Sequence, residues 1–167
     1  MYKVMIVGHG FVGSAVASLF SEKEKVIVDP KFTDNKISDN SGVPFDAVFV
    51  SVDTPKAEGF KLLDTILWEL NYCMLKGTPV CCKSTATPEF YYNASQKYNN
   101  IKIVHSPEYL NKSNPIKMFQ GQKFFIIGGD EHAAMTVGHI FKSRLNHVKE
   151  IRYTDIRTAA MVKYSEN

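Results

Sequence analysis

Glycines at positions 8, 10 and 13 form the pattern G-x-G-x-x-G, and an acid, Asp29, follows 21 residues after the first of them. Each of these residue types suits one part of a dinucleotide. Gly8 permits a tight turn out of a strand, Gly10 lets the backbone approach a pyrophosphate, and Gly13 lets the next helix pack close to that strand. The free N–H groups near Phe11 and Val12 are donors for phosphate oxygens. Asp29 is placed to accept hydrogen bonds from ribose 2′- and 3′-hydroxyls and would repel a 2′-phosphate, so the expected cofactor is NAD rather than NADP. Alone, the glycine pattern also fits an ordinary β-turn-α connection; strand, helix and acid together carry the reading. His9, inside the loop, reads as a partly exposed side chain.

Other chemistries find less support. Cys73, Cys81 and Cys82 are odd in number, and the adjacent pair on a predicted strand would point to opposite faces, so they read as reduced core residues. The five histidines are dispersed, no metal-ligand spacing occurs, and no metal is expected. A net charge of +3 arises from 20 basic residues scattered among 17 acidic ones, without the basic stripe that nucleic acid would require. No run approaches the ~18 apolar residues that span a bilayer, so a soluble, cytoplasmic protein is expected.

The elements that must position these residues follow from periodicity. Residues 2–7 form an apolar strand, the glycine loop follows, and Val12, Val16, Leu19 and Phe20 recur at helical spacing. A short strand, residues 26–28, ends at Asp29, and the polar stretch 31–44 reads as a connection with little order of its own. Residues 46–52 form a third strand, followed by a helix striped by Leu63, Ile66, Leu67, Leu70 and Met74, with Asp64 as its N-cap and Gly77 just past its end. Strands at 79–82, 101–104 and 124–127 follow. Thr87 with Pro88 starts a short helix, Asp130 caps a helix carrying Ala133, Val137, Ile140 and Phe141, and residues 148–153 add a short strand. Thr154 is expected to cap the last helix. Strands alternating with helices predict an α/β, doubly wound (Rossmann-like), mostly parallel sheet in a single domain. With 167 residues and 44% apolar content the chain can bury one good core.

Further segments carry a resemblance: residues 50–55 (VSVDTP), 83–85 (KST), 106–110 (SPEYL), 126–131 (IIGGDE) and 159–167 (AAMVKYSEN). In this order they resemble the N-terminal NAD-binding domain of the nucleotide-sugar 6-dehydrogenases, the UDP-glucose/GDP-mannose dehydrogenase family. The resemblance implies a nucleotide-sugar substrate, UDP-glucose-like, whose primary alcohol NAD oxidises twice, through a cysteine-bound aldehyde and then a thioester that water hydrolyses. It implies that Thr54 and residues 52–56 line the cofactor together with Ser84, Thr85 and Ala86. Thr85 and Glu108 would order the catalytic water, and residues 108–112 would border the sugar. Lys163 and Asn167, four apart and so on one helix face, would both address a developing oxyanion. On this reading residues 1–153 are the dinucleotide-binding domain, and 154–167 begin a helix that would lead to a second domain.

Plainer roles stand beside these. Lys163 with Asn167 also fits a solvated surface pair, Glu108 could cap a turn, and the hydroxyls of Thr54, Ser84 and Thr85 could cap or close turns. The chain departs from the family pattern at Lys112, where a second glutamate is usual, at Ala160, where a glutamate precedes the lysine, and over residues 86–89. It also lacks a glycine-rich segment with the nucleophilic cysteine, and the expectation is a chain truncated before it and inactive alone. The missing part would come from a C-terminal domain or from a homo-oligomer. The alternative is a non-catalytic NAD or nucleotide-sugar binding module.

Overall fold

The computed structural model describes residues 1–165. In chain order the elements are β1 (Val4–Val7), α1 (Phe11–Ala17), β2 (Lys25–Val28), β3 (Ala47–Val50), α2 (Lys61–Cys73), β4 (Pro79–Cys82), α3 (Pro88–Lys97) and β5 (Lys102–His105). They continue with α4 (Pro115–Gln120), β6 (Phe124–Gly129), α5 (Glu131–Arg144), β7 (Glu150–Thr154) and α6 (Ile156–Ser165). The strands form one sheet of order β2-β1-β3-β4-β5-β6-β7. Every neighbouring pair is parallel except β5 with β6, which run antiparallel.

The apolar strands are buried on both faces, and each face has its own core. On one, Met5, Val7, Val48, Val50 and Cys82 pack against Leu63, Leu67 and Leu70 of α2, Tyr91 and Ala94 of α3, and Ile156 and Ala160 of α6. On the other, Val4, Ile6, Phe49 and Cys81 meet Val16 of α1, Phe119 of α4, and Val137, Ile140 and Phe141 of α5. This is the doubly wound arrangement that continuous apolar strands require. The adjacent Cys81 and Cys82 do point to opposite faces. β1 has β2 on one side and β3 on the other, so the winding reverses there and leaves a crevice beyond the strands' carboxyl ends.

Several local expectations are corrected. Asp64 lies within the first turn of α2 rather than at its cap, and its carboxylate accepts from the Tyr98 hydroxyl at 2.7 Å. Thr154 belongs to β7, and Asp155 caps α6 by accepting from the Thr158 N–H at 2.9 Å. The polar stretch 31–44 is held rather than loose: it contains a 3₁₀ turn (Ser38–Asn40), buries Ile37, and docks on α2 through Gly42 N–H to the Cys73 carbonyl at 2.9 Å. Helix α4, which buries Phe119, was not foreseen, and Leu19 and Phe20 lie past the end of α1. Thr87 and Asp130 do cap α3 and α5, accepting from Phe90 N–H at 3.1 Å and Ala133 N–H at 3.0 Å.

Candidate functional site

The crevice beyond the carboxyl ends of β1, β3, β4 and β5 holds a cleft of about 370 Å³. Its walls are Gly10, Phe11 and Val12 at the start of α1, Ser51 to Thr54 after β3, Lys83 to Thr85 after β4, and Glu108 and Lys112 after β5. Four strand ends, remote in sequence, therefore contribute to one cavity.

The three loop glycines differ in physical role. Gly8 has φ +87°, and a Cβ there would lie 2.5 Å from the Ser51 carbonyl oxygen. A Cβ on Gly13 would lie 1.9 Å from the Gly8 carbonyl oxygen, so helix and loop touch backbone to backbone. Apart from its own chain neighbours, Gly10 has no atom of the described residues within 4 Å of that position, so the space its missing side chain leaves opens to the cleft it lines. Packing requires the outer two glycines, whereas the middle one leaves room for a ligand. Gly10 is the N-cap of α1 and offers no capping side chain, so the first-turn N–H groups at Phe11 and Val12 keep donor capacity toward an anion.

Asp29 lies outside the cleft lining, one step away. One carboxylate oxygen accepts from His9 N–H at 2.7 Å and the other from Lys31 N–H at 2.9 Å. Each oxygen retains a second acceptor position for a hydroxyl. His9 is half-buried, and its Nδ1 has no partner among the described residues.

The loops after β3 and β4 are tied to each other. Ser84 Oγ accepts from Val52 N–H at 3.0 Å and donates to the Val52 carbonyl at 2.7 Å, and Thr54 Oγ1 donates to the Thr85 carbonyl at 2.6 Å. Thr54, Ser84 and Thr85 thus line the cleft, with the Thr54 and Ser84 hydroxyls engaged between loops. The Tyr91 hydroxyl adds a bond to the Ser84 carbonyl at 2.5 Å.

Glu108 is buried, and its plainer expected role, closing a turn, is visible beside an ion pair. One carboxylate oxygen accepts from Leu110 N–H at 2.7 Å, closing a turn, while the other faces Lys163 Nζ at 3.6 Å. Lys163 also donates to the Glu108 carbonyl at 2.7 Å, which fastens α6 to the end of β5. Asn167 lies outside the described residues. Lys112 sits at the cleft mouth with its ammonium 5.9 Å from the Phe11 ring centroid.

Sequence reasoning gave no site role to Lys83, which is only 2% exposed and lines the cleft. Its Nζ donates to Ser106 Oγ at 3.2 Å and lies 5.5 to 6.0 Å from the Phe119, Phe125 and Phe141 ring centroids. Burial pulls its pKa below the ordinary lysine value; Cys81 and Glu108 oppose that pull, and Lys163 adds to it. Its signal in the sequence was position, a lysine directly continuing an apolar strand. His105 was equally hidden. It is fully buried, its Nδ1–H donates to the Cys82 carbonyl at 2.9 Å, and its ring stacks on Tyr91 at 4.4 Å. Burial pushes its pKa down to about 3.

None of the three cysteines lines the cleft, and all are buried. Burial raises each thiol pKa, that of Cys81 to about 11. Among the described residues no group of three or more His, Cys, Asp or Glu could hold a metal ion, and no helix is long and apolar enough to cross a membrane.

No protein-family model and no curated protein matches the chain. Solved structures do. A UDP-D-ManNAc dehydrogenase from Pyrococcus horikoshii superposes with TM-score 0.78 at 18% identity, over 98% of this chain and 49% of the other. A GDP-mannose dehydrogenase from Pseudomonas aeruginosa gives 0.77 at 18% identity, over 99% and 49%. A UDP-glucose dehydrogenase from Pyrobaculum islandicum gives 0.80 at 17% identity, again over 99% and 49%. The chain spans about half the length of each of these structures, and what the likeness shows is that it has the Rossmann-like fold of that half.

Proposed function

We propose that the chain is the NAD-binding domain of a nucleotide-sugar dehydrogenase of the UDP-glucose/GDP-mannose dehydrogenase type. The observation that carries this is the glycine loop: Gly10 faces open space at the cleft while Asp29 is hydrogen-bonded to the same loop. The N–H groups at Phe11 and Val12 hold the pyrophosphate, and Asp29 holds the adenosine ribose hydroxyls. Thr54, Ser84 and Thr85 border the nicotinamide half. NAD, when bound, supplies the hydride acceptor for oxidation of a sugar alcohol.

Thr85 and Glu108 hold a water at the cleft, and Lys163, together with Asn167, offers donors to an oxyanion. The sugar side of the cleft comes from polypeptide outside this chain, a second domain or another copy. The burial of all three cysteines favours a second reading for the chain by itself, a module that binds dinucleotide or nucleotide sugar without covalent chemistry.

Titration calorimetry tests the cofactor assignment. NADH is expected to bind at least tenfold more tightly than NADPH, because Asp29 would meet the 2′-phosphate; equal affinities would remove the role given to Asp29. The chain alone is expected to produce no NADH absorbance from NAD with UDP-glucose, GDP-mannose or UDP-N-acetylmannosamine, because the thioester route needs a reactive thiolate. Turnover by the isolated chain would refute this, and turnover that appears only after a separate sugar-binding domain is added would support the dehydrogenase reading over the binding module.

A further inference from the structure

We propose that Phe32 is the platform on which the adenine of the dinucleotide stacks, an inference that rests on the NAD reading above. The ribose that Asp29 holds carries its base one glycosidic bond away, so the base must lie close to the Asp29 carboxylate. Three residues after Asp29 stands Phe32, 60% exposed. A single exposed apolar side chain needs no explanation by itself. The way this one is held does.

Phe32 N–H and Thr33 N–H both donate to the Asp29 carbonyl at 2.9 Å, so the chain makes one tight turn directly after the acid. Thr33 Oγ1 and Asn35 Nδ2 then donate to the Ile27 carbonyl, each at 3.0 Å, and fix that turn to the end of β2. The Phe32 ring meets the His9 ring edge to face, with centroids 5.2 Å apart. His9 in turn is the residue whose N–H binds Asp29. An aromatic ring that packs into no core is thus braced on the glycine loop, beside the acid, with much of its surface open to solvent. Adenine offers a π face to such a ring whatever its hydrogen-bonding edges do, and stacking of this kind is worth about tenfold or more in affinity.

The test compares the wild-type chain with Phe32→Ala, Phe32→Leu and Phe32→Tyr, titrated with NAD and with AMP. Because Phe32 is exposed, all three variants should melt like the wild type. Phe32→Ala is expected to weaken both ligands about tenfold. Phe32→Tyr, which keeps the ring, should restore binding. In proton NMR the adenine H2 and H8 signals of bound AMP should shift upfield with the wild type and Phe32→Tyr. With Phe32→Leu, which keeps bulk but no ring current, they should not. Unchanged affinity in Phe32→Ala, or the same upfield shift with Phe32→Leu, overturns the inference while leaving the NAD reading intact. Failure of the wild-type chain to bind either NAD or AMP overturns both.

Discussion

Gly10→Ala is expected to fold like the parent chain yet lose dinucleotide binding, whereas Gly13→Ala, three residues on, is expected to lose stability outright. At Gly10 a new methyl group meets, beyond its chain neighbours, no atom of the described residues within 4 Å, so the fold has no reason to object. That methyl enters the space through which a pyrophosphate must approach the loop, and NADH affinity should fall at least tenfold. At Gly13 the methyl would sit 1.9 Å from the Gly8 carbonyl oxygen and 2.8 Å from its carbon. Both are backbone atoms of a loop pinned by Gly8 N–H to the Val28 carbonyl at 2.9 Å, so neither can swing aside as a side chain could. Forced backbone movement in a packed region costs on the order of 3 kcal/mol, a large part of the 5–15 kcal/mol typical of a domain. For a chain of this size it lowers the melting temperature by roughly 6–12 °C. Urea unfolding followed by circular dichroism, paired with NADH calorimetry, separates the two effects. A Gly13→Ala protein that melts with the parent, or a Gly10→Ala protein that binds NADH normally, would show that the loop geometry has been misassigned.

Mild acid is expected to destabilise the protein through His105. Its folded pKa of about 3 lies below the ordinary 6.5, because burial penalises the charged ring. Lys83 and Lys163 add repulsion, and the hydrogen bond to the Cys82 carbonyl opposes both. Between those two values the unfolded chain takes up a proton that the folded chain refuses. Stability is therefore full above pH 6.5 and drains as the pH falls toward 3, at up to about 1.4 kcal/mol per pH unit. Nε2, where that proton must go, is buried with no hydrogen-bond partner among the described residues.

The window from pH 6.5 to 5 isolates this group, since the depressed carboxyls lose stability only at lower pH. Glu24, held down to about 2 mainly by the Ser21 and Tyr2 N–H groups, titrates below its ordinary 4.5, and Asp155 below 3.8. Across the window the parent should lose about 2 kcal/mol, and His105→Asn should lose much less. The substitution is tolerable because the Cys82 carbonyl keeps a second donor, Ser106 N–H at 3.1 Å. An identical slope of stability against pH in parent and variant would rule out His105 as the source. The segment from Ser106 to Glu108 follows His105 directly, so acid should also loosen the Glu108 end of the cleft.

How much of this was legible in the sequence depended on how local the physics was. The strand-turn-helix at the glycines and the Thr87 and Asp130 caps could be read because a turn, a cap or a close backbone approach is decided within a few residues. Continuous apolar runs likewise identified the strands, since a sheet covered on both faces demands them. The caps of α2 and α6 misled for the opposite reason. Asp64 answers to the Tyr98 hydroxyl, 34 residues away, and Thr154 is claimed by pairing with Gly128 in the sheet.

Tertiary structure alone decided the remainder. An apolar strand has no inherent direction, so the antiparallel run of β6 beside β5 was not legible in its residues. Segment 31–44 has the composition of a loose connection, and its order comes from carbonyls on β2 and α2 that only the fold brings near. The burial of Lys83 and His105 and the approach of Lys163 to Glu108 are products of four strand ends and a distant helix converging. The fold class and the glycine turn between β1 and α1 were legible from the residues alone, because those constraints act between neighbours. Which charges share the cleft, and how strongly burial disfavours their charged forms, depends on solvent excluded by residues far apart in the chain, and that is settled only when the chain closes on itself.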